Sequence, residues 1–308
     1  MIETIGLTKH FDGNQAVQDL NLQVKQGEIF AFLGPNGAGK TTTTRMLACL
    51  IAPTSGQARV AGYDVGRESD EIRARIGILT ESPGLYEKLS AVQNLDFYAR
   101  LYGMTNADRA DAVKKYLSML GLWERRDENV SSFSKGMKQK LAIARALLHD
   151  PKVVFLDEPT SALDPEAAKI VRDFIAELKS EGHTIFLCTH NLDEADRLAD
   201  RIGVMKQRLI QVDTAENLRR KLYGRRVVVR MRAVMDAHIA ALKPLIFIKH
   251  VDREDNRLAL TVDDPDGMTP TIIRALVQAN GDIQSVAEEK HSLEEVYLNL
   301  VGNGGGAK

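Results

Sequence analysis

Cysteine is scarce in this chain of 308 residues: there are two, Cys49 and Cys188, far apart and neither in a metal-type spacing. They build no disulfide framework, and reduced thiols of a cytosolic protein are the plain reading. Long apolar runs are missing as well. The longest are short, such as Ile29–Leu33 and Val153–Leu156, so no helix of about 18 apolar residues is available to span a bilayer. The N-terminus, Met-Ile-Glu-Thr, lacks the basic-then-apolar order of a secretory signal. An excess of charge is absent too, with 41 Lys plus Arg against 42 Asp plus Glu. A nucleic-acid binder usually shows a basic excess, so this balance argues against one. What is present is the composition of a folded protein, 44% hydrophobic and 27% charged, in a length that suits two domains.

The first two-thirds alternate short apolar runs with helical patterns. Residues 28–33, Val153–Asp157 and Thr184–Thr189 read as buried strands. Ser90 with Gln93 has capping-box spacing, and Gly103 follows as a stop. A second helix runs from Asn106 to Gly121. Asp164-Pro165-Glu166 opens another that Gly182 ends, and Asn191 with Glu194 repeats the capping-box spacing. Strands alternating with helices predict an α/β domain with a mostly parallel sheet over residues 1–221. From Leu222 the texture changes to β-α-β-β-α-β plus a helix, the ferredoxin-like order, over 222–301. Its strands are expected at Val227–Met231, Leu245–Val251, Leu258–Val262 and Ile283–Ala287. Its helices are expected at Met235–Leu242, Thr271–Ala279 and Leu293–Val301. The glycine-rich tail 302–308 is expected to be disordered.

Residues 34–41, Gly-Pro-Asn-Gly-Ala-Gly-Lys-Thr, fit G-x-x-x-x-G-K-[ST] between a predicted strand and a predicted helix. Gly34, Gly37 and Gly39 allow backbone conformations closed to other residues, so that successive N–H groups converge on phosphate oxygens. The helix that follows points its positive end at the same phosphates. Lys40 would reach the β- and γ-phosphates, and the Thr41 hydroxyl would ligand Mg²⁺. Further on, the apolar run Val153–Leu156 ends in Asp157 and Glu158. Such a strand delivers its last residues to the ligand crevice. Asp157 is placed to hold Mg²⁺, directly or through water, and Glu158 to deprotonate an attacking water.

Residues 132–137, Ser-Phe-Ser-Lys-Gly-Met, lead into Lys-Gln-Lys-Leu-Ala-Ile-Ala-Arg-Ala-Leu. This resembles the signature segment of ATP-binding cassette (ABC) ATPases, usually Leu-Ser-Gly-Gly-Gln. Phe133 stands for the Leu, Lys135 for the first Gly and Met137 for the Gln, while Ser134 and Gly136 match. The resemblance covers residues 2–215. It implies an ATP site made of Phe11 on the adenine and the loop Gly34, Pro35, Asn36, Gly37, Ala38, Gly39, Lys40, Thr41 and Thr42. It implies a D-loop at Ser161-Ala-Leu-Asp164, a switch histidine at His190, and Glu81 in place of the Q-loop Gln, where a carboxylate can still ligand Mg²⁺. Catalysis falls to Glu158, His190 and Lys40. Ser134, Lys135 and Gly136 would meet the ATP of a second subunit. Lys135 and Lys138 at a helix N-terminus oppose the macrodipole, and a bound anion would relieve the conflict.

The family also implies what hydrolysis drives. Four of the 17 aromatics, Tyr86, Phe97, Tyr98 and Tyr102, lie in the helical subdomain expected over about 82–150, where the family takes the coupling helices of a membrane subunit. Aromatic residues at a surface groove suit such an interface. Residues 81–86, Glu-Ser-Pro-Gly-Leu-Tyr, and the segment Ser292-Leu-Glu-Glu-Val-Tyr-Leu resemble ABC-2-type exporter ATPases of the daunorubicin-resistance and nodulation-factor groups. The implied protein is cytoplasmic and peripheral on the inner face of the membrane. It dimerises around two Mg-ATP and drives a separate transmembrane permease. Two alternatives stay open here: a soluble ABC ATPase acting on ribosomes or DNA, and a weakly hydrolysing nucleotide-gated regulator. The first usually carries two cassettes or long coiled coils, and neither is visible. No Asn-Lys-x-Asp segment marks a GTPase.

Overall fold

The computed structural model describes residues 1–80, 84–161, 163–289 and 291–303. The chain divides into two compact units, Met1–Thr214 and Ala215–Asn303. In the first, β1 (Ile2–Phe11), β2 (Asn14–Val24) and β3 (Ile29–Leu33) precede α1 (Lys40–Leu47). Next come β4 (Ser55–Val60), β5 (Tyr63–Asp64), α2 (Ser69–Arg73) and β6 (Ile76–Leu79). Helices α3 (Ala91–Leu101), α4 (Asn106–Met119) and α5 (Lys135–Leu147) follow. The unit ends with β7 (Val153–Asp157), α6 (Pro165–Ser180), β8 (Thr184–Thr189), α7 (Leu192–Leu198), β9 (Arg201–Lys206) and β10 (Arg208–Asp213).

Two sheets organise this unit. The larger has the order β10-β9-β3-β8-β7-β6 and is parallel from β9 to β6, with β10 antiparallel at the edge. Every residue of β3, β7 and β8 is buried, as continuous apolar strands covered on both faces must be. Phe30, Phe32, Phe155 and Phe186 pack together in this core, with ring centroids 5.3–6.2 Å apart in the contacting pairs. The smaller sheet, β2-β1-β4-β5, is antiparallel where its pairing is defined and carries register shifts along β1. The helical layer α3–α5 has its own apolar core around Leu95, Leu117, Leu141 and Leu147. Helix α3 opens with the expected capping box, Ser90 accepting from Gln93 N–H and Gln93 answering to Ser90 N–H.

The second unit begins with α8 (Ala215–Tyr223), so the division falls seven residues before the expected 221/222 boundary. The reason is that α8 packs with the last helix of its own unit. Then come β11 (Arg225–Met231), α9 (Asp236–Leu242), β12 (His250–Glu254), β13 (Arg257–Val262), α10 (Pro265–Gln278), β14 (Ile283–Glu288) and α11 (Leu293–Asn303). The sheet order is β12-β13-β11-β14 with all neighbours antiparallel, the ferredoxin-like arrangement that the element order predicts. Most boundaries agree within two residues; helix α11 runs to Asn303, so the tail expected to be disordered from 302 begins two residues inside it, and the rest of that tail lies outside the described residues. Two elements shift further. Leu245, Phe247 and Ile248 pack on the core from a turn rather than a strand, and pairing starts only at His250. Helix α10 starts six residues before Thr271, because Asp264 caps it and Pro265 takes its first position.

Candidate functional site

The phosphate loop leaves the C-terminal end of β3 and enters α1. Gly37 and Gly39 take positive φ, +79° and +99°, as the sequence predicts. Gly34 does not. It is needed for space, because a Cβ there would lie 2.5 Å from the Met205 carbonyl oxygen. Lys40 is buried, and its Nζ donates to the carbonyls of Gly34 (2.6 Å) and Pro35 (3.2 Å), so the lysine bridges the loop that it follows. Pro35, Asn36 and Gly37 are exposed, while Ala38 is buried against the core. Thr42, Lys40 and Gly37 line one cleft together with Phe11, Asn14 and Gln207. Phe11 lies on that cleft 45% exposed, with Lys9 Nζ 4.9 Å from its ring centroid. It is therefore not a core residue, and Lys9 covers part of its ring on the cleft.

Two neighbouring strands add the acids and the histidine: β7 ends in Asp157 and leads into Glu158, and β8 leads into His190. Thr41 Oγ1 donates to Asp157 Oδ2 at 2.8 Å, and Asp157 is buried. A hydroxyl and a buried carboxylate meeting across the loop are hard oxygen donors of the kind that suit Mg²⁺. Glu158 sits at φ +51°, a conformation costly for a residue with a Cβ. Its N–H donates to the Cys188 carbonyl. Its Oε1 accepts from His190 N–H (3.0 Å) and pairs with His190 Nδ1 (2.8 Å), while Thr189 Oγ1 donates to Oε2 at 3.4 Å. The strand ends of β7 and β8 thus aim a carboxylate and an imidazole at one point. Cys188 lies beneath them beside Thr44 Oγ1, and burial pushes its thiol up, so it stays protonated.

Ser134 caps α5 by accepting from Met137 N–H at 3.2 Å. Lys135 is exposed, and Gly136 faces Leu163, whose Cδ2 a Cβ would meet at 3.2 Å. The expectation that Lys135 and Lys138 both await an anion is half corrected: Lys138 Nζ pairs with Glu87 Oε1 at 2.5 Å, a partner 51 residues away. Asp164 caps α6 by accepting from Ala167 N–H at 2.8 Å. Glu81 lies outside the described residues, as does Ala162 of the expected D-loop. Sequence reading missed Gln139, a buried side chain on α5 whose Nε2 points at the carbonyls of Glu158 and Pro159. Its only signal was a polar residue on an otherwise apolar helix face.

Three of the four aromatic residues of the helical layer group, while Tyr102 stacks on His149 with ring centroids 3.7 Å apart. Tyr86, Phe97 and Tyr98 contact one another edge-on or tilted, and Arg145 covers Tyr98. Tyr86, Phe97 and Tyr102 stay exposed, so only Tyr98 is substantially covered. Among the described residues no helix is long and apolar enough to cross a membrane.

Known proteins resemble both units of the chain. Residues 17–161 match the family described as "ABC transporter", and residues 214–301 match "ATP-binding protein DrrA1-3-like, C-terminal domain". The daunorubicin/doxorubicin resistance ATP-binding protein DrrA of Streptomyces peucetius is 37% identical over 98% of this chain and 92% of its own. The bacitracin transport ATP-binding protein BcrA of Bacillus licheniformis is 35% identical over 99% of this chain and 98% of its own. Among solved structures, the dimeric post-hydrolysis state of the ATP-binding cassette MJ0796 bound to ADP and Pi matches with a TM-score of 0.65. It is 26% identical and covers 70% of this chain and 98% of that one.

Proposed function

Because the chain belongs to the ATP-binding proteins of ABC transporters, in the group with the DrrA-like C-terminal domain, we propose how its residues divide the work of ATP hydrolysis. The chain is an ATP-hydrolysing motor subunit of an ABC-2-type transporter. Phe11 takes the adenine, Pro35 shapes the turn of the loop, and the N–H groups of 36–42 with Lys40 take the phosphates. Thr41 and Asp157, with Glu81, are the residues that would hold Mg²⁺, and the ion supplies charge neutralisation on the phosphate oxygens. Glu158 accepts the proton of the attacking water. His190, bonded to Glu158 Oε1 by both its N–H and its ring, keeps that carboxylate aimed and contacts the γ-phosphate. Ser134, Lys135 and Gly136 complete the site of a second copy, and Asp164 lies at that same dimer interface.

The exposed Tyr86, Phe97 and Tyr102 are the surface on which a separate membrane permease docks, which puts the chain on the cytoplasmic face of its membrane. ATP binding closes the dimer, the permease follows, and hydrolysis reopens it, in the direction of export. The observation that carries this reading is the pairing of Thr41, at the start of α1, with Asp157 at the end of β7, and of Glu158 with His190 just beyond the adjacent strands β7 and β8. The test is ATP turnover of the full chain against Glu158→Gln. Turnover should fall about 100-fold or more, in the range lost with a positioned acid–base group, while ATP still binds. Equal turnover in the two proteins overturns the assignment.

A further inference from the structure

Asn191 and Glu194 promise a capping box, and only half of it forms. Asn191 Oδ1 accepts from Glu194 N–H at 3.1 Å, but Asn191 N–H is already given to Thr189 Oγ1 at 3.0 Å. Glu194 therefore has no cap to return to. It turns inward instead, 1% exposed, and neither carboxyl oxygen has a hydrogen-bond partner of ordinary geometry. Around it stand the hydroxyls of Thr160 and Thr189, the carboxylate of Glu158 and the guanidinium of Arg172 on α6. A buried carboxylate with only two poorly aligned hydroxyl donors is more costly than the neutral acid. Burial and the charge of Glu158 both push its proton affinity up, and the hydroxyls and Arg172 offset only part of that.

The hydroxyl of Thr189 has one hydrogen and two carboxyl groups beside it. In this structure the hydrogen goes to Glu158 Oε2. Were Glu194 ionised, its drier charge would draw that hydrogen away from Glu158, which already has His190. We infer that Glu194 is a positioning residue: as an uncharged acid it turns its own hydrogen to the Thr160–Thr189 hydroxyl pair and leaves the hydrogen of Thr189 to Glu158. Thr189 Oγ1 then accepts from Asn191 N–H and Glu194 and donates to Glu158, the full capacity of a hydroxyl. This rests on Glu158 acting as the proposed base, but the protonation of Glu194 does not.

Two measurements on the full chain test it. Difference infrared spectroscopy at pH 7, wild type minus Glu194→Gln, should show the carbonyl band of a protonated carboxyl; a carboxylate band in its place overturns the inference whatever the role of Glu158. Kinetics form the second arm. Glu194→Gln, neutral and still a donor, should keep kcat within about twofold. Glu194→Leu should lower kcat about tenfold, the rate equivalent of one hydrogen bond to a charged group, with KM for ATP unchanged. Thr189→Val should lose as much, and the double variant no more than Thr189→Val alone. If Leu is as active as wild type, or Gln as impaired as Leu, Glu194 does not position the site. Wild-type infrared needs no variant chain to be active, and Glu158→Gln as control shows separately whether Glu158 is the base.

Discussion

Alanine substitutions at three glycines of the phosphate loop separate two costs that sequence motifs merge. Gly37 has φ +79° and open space where a Cβ would go, so Gly37→Ala meets strain alone. A left-handed residue with a Cβ costs about 1–2 kcal/mol. Gly34 has an ordinary φ but its Cβ would lie 2.5 Å from Met205 O and 2.9 Å from Ala38 Cβ, so Gly34→Ala meets overlap alone, about 1–3 kcal/mol as overpacking. Gly39→Ala meets both, at φ +99° with Ala16 O 2.4 Å away, and should cost about 2–5 kcal/mol as the sum. Urea unfolding of the apo chain, followed by the fluorescence of its one tryptophan, Trp123, reports on the unit that holds the loop. For a unit of this size each kcal/mol lowers Tm by about 2–4 °C. A loss at Gly37 equal to or larger than that at Gly39 would refute the reasoning, since strain would then account for everything and the backbone approach for nothing.

Three further outcomes follow from particular contacts. Ser90→Ala removes one arm of the capping box and should lower stability by about 1 kcal/mol, read by urea midpoint. Arg201→Met leaves the buried carboxylate of Glu28 without its two-pronged partner, Nε at 2.6 Å and Nη2 at 3.0 Å, and should cost about 3 kcal/mol; a loss below that of Ser90→Ala would contradict this. Asp96 is pushed up by burial but pulled further down by hydrogen bonds from Arg109 and Arg100, for a net lowering. A lowered carboxylate adds stability that is present above its unfolded pKa of about 3.9 and lost as pH falls through the folded value. Asp96→Asn should therefore be less stable than wild type at pH 7, with the gap closing below pH 4.

Much of the site is legible in sequence because chemistry constrains residue type at fixed spacing. The loop 34–41 and the apolar strand ending in Asp157 and Glu158 stand where the pattern puts them. The ferredoxin-like order is legible because apolar runs and turn residues alternate through the second unit. What is not legible depends on partners far along the chain. Lys138 is answered by Glu87, Gln139 reaches the carbonyls after β7, and the half-formed cap at Asn191 is decided by Thr189. The β2-β1-β4-β5 sheet escapes because register shifts break the alternation that marks a strand. The φ of +51° at Glu158 has no residue signal, since glycine is the residue that usually advertises it.

The in-register pairing of β3, β8 and β7 acts as a ruler. Leu33 lies opposite Thr189, and Asp157 opposite Cys188. Neighbouring strands are held about 4.8 Å apart by their ladders, so the loop, the histidine and the acids rise from three points that together span about 10 Å. No side chain sets that distance; the repeat of the peptide backbone does. Substitutions that merely trim a functional side chain leave the gauge intact, whereas one that prises β8 from either neighbour, at Phe186 for example, misplaces every group at once without touching any of them.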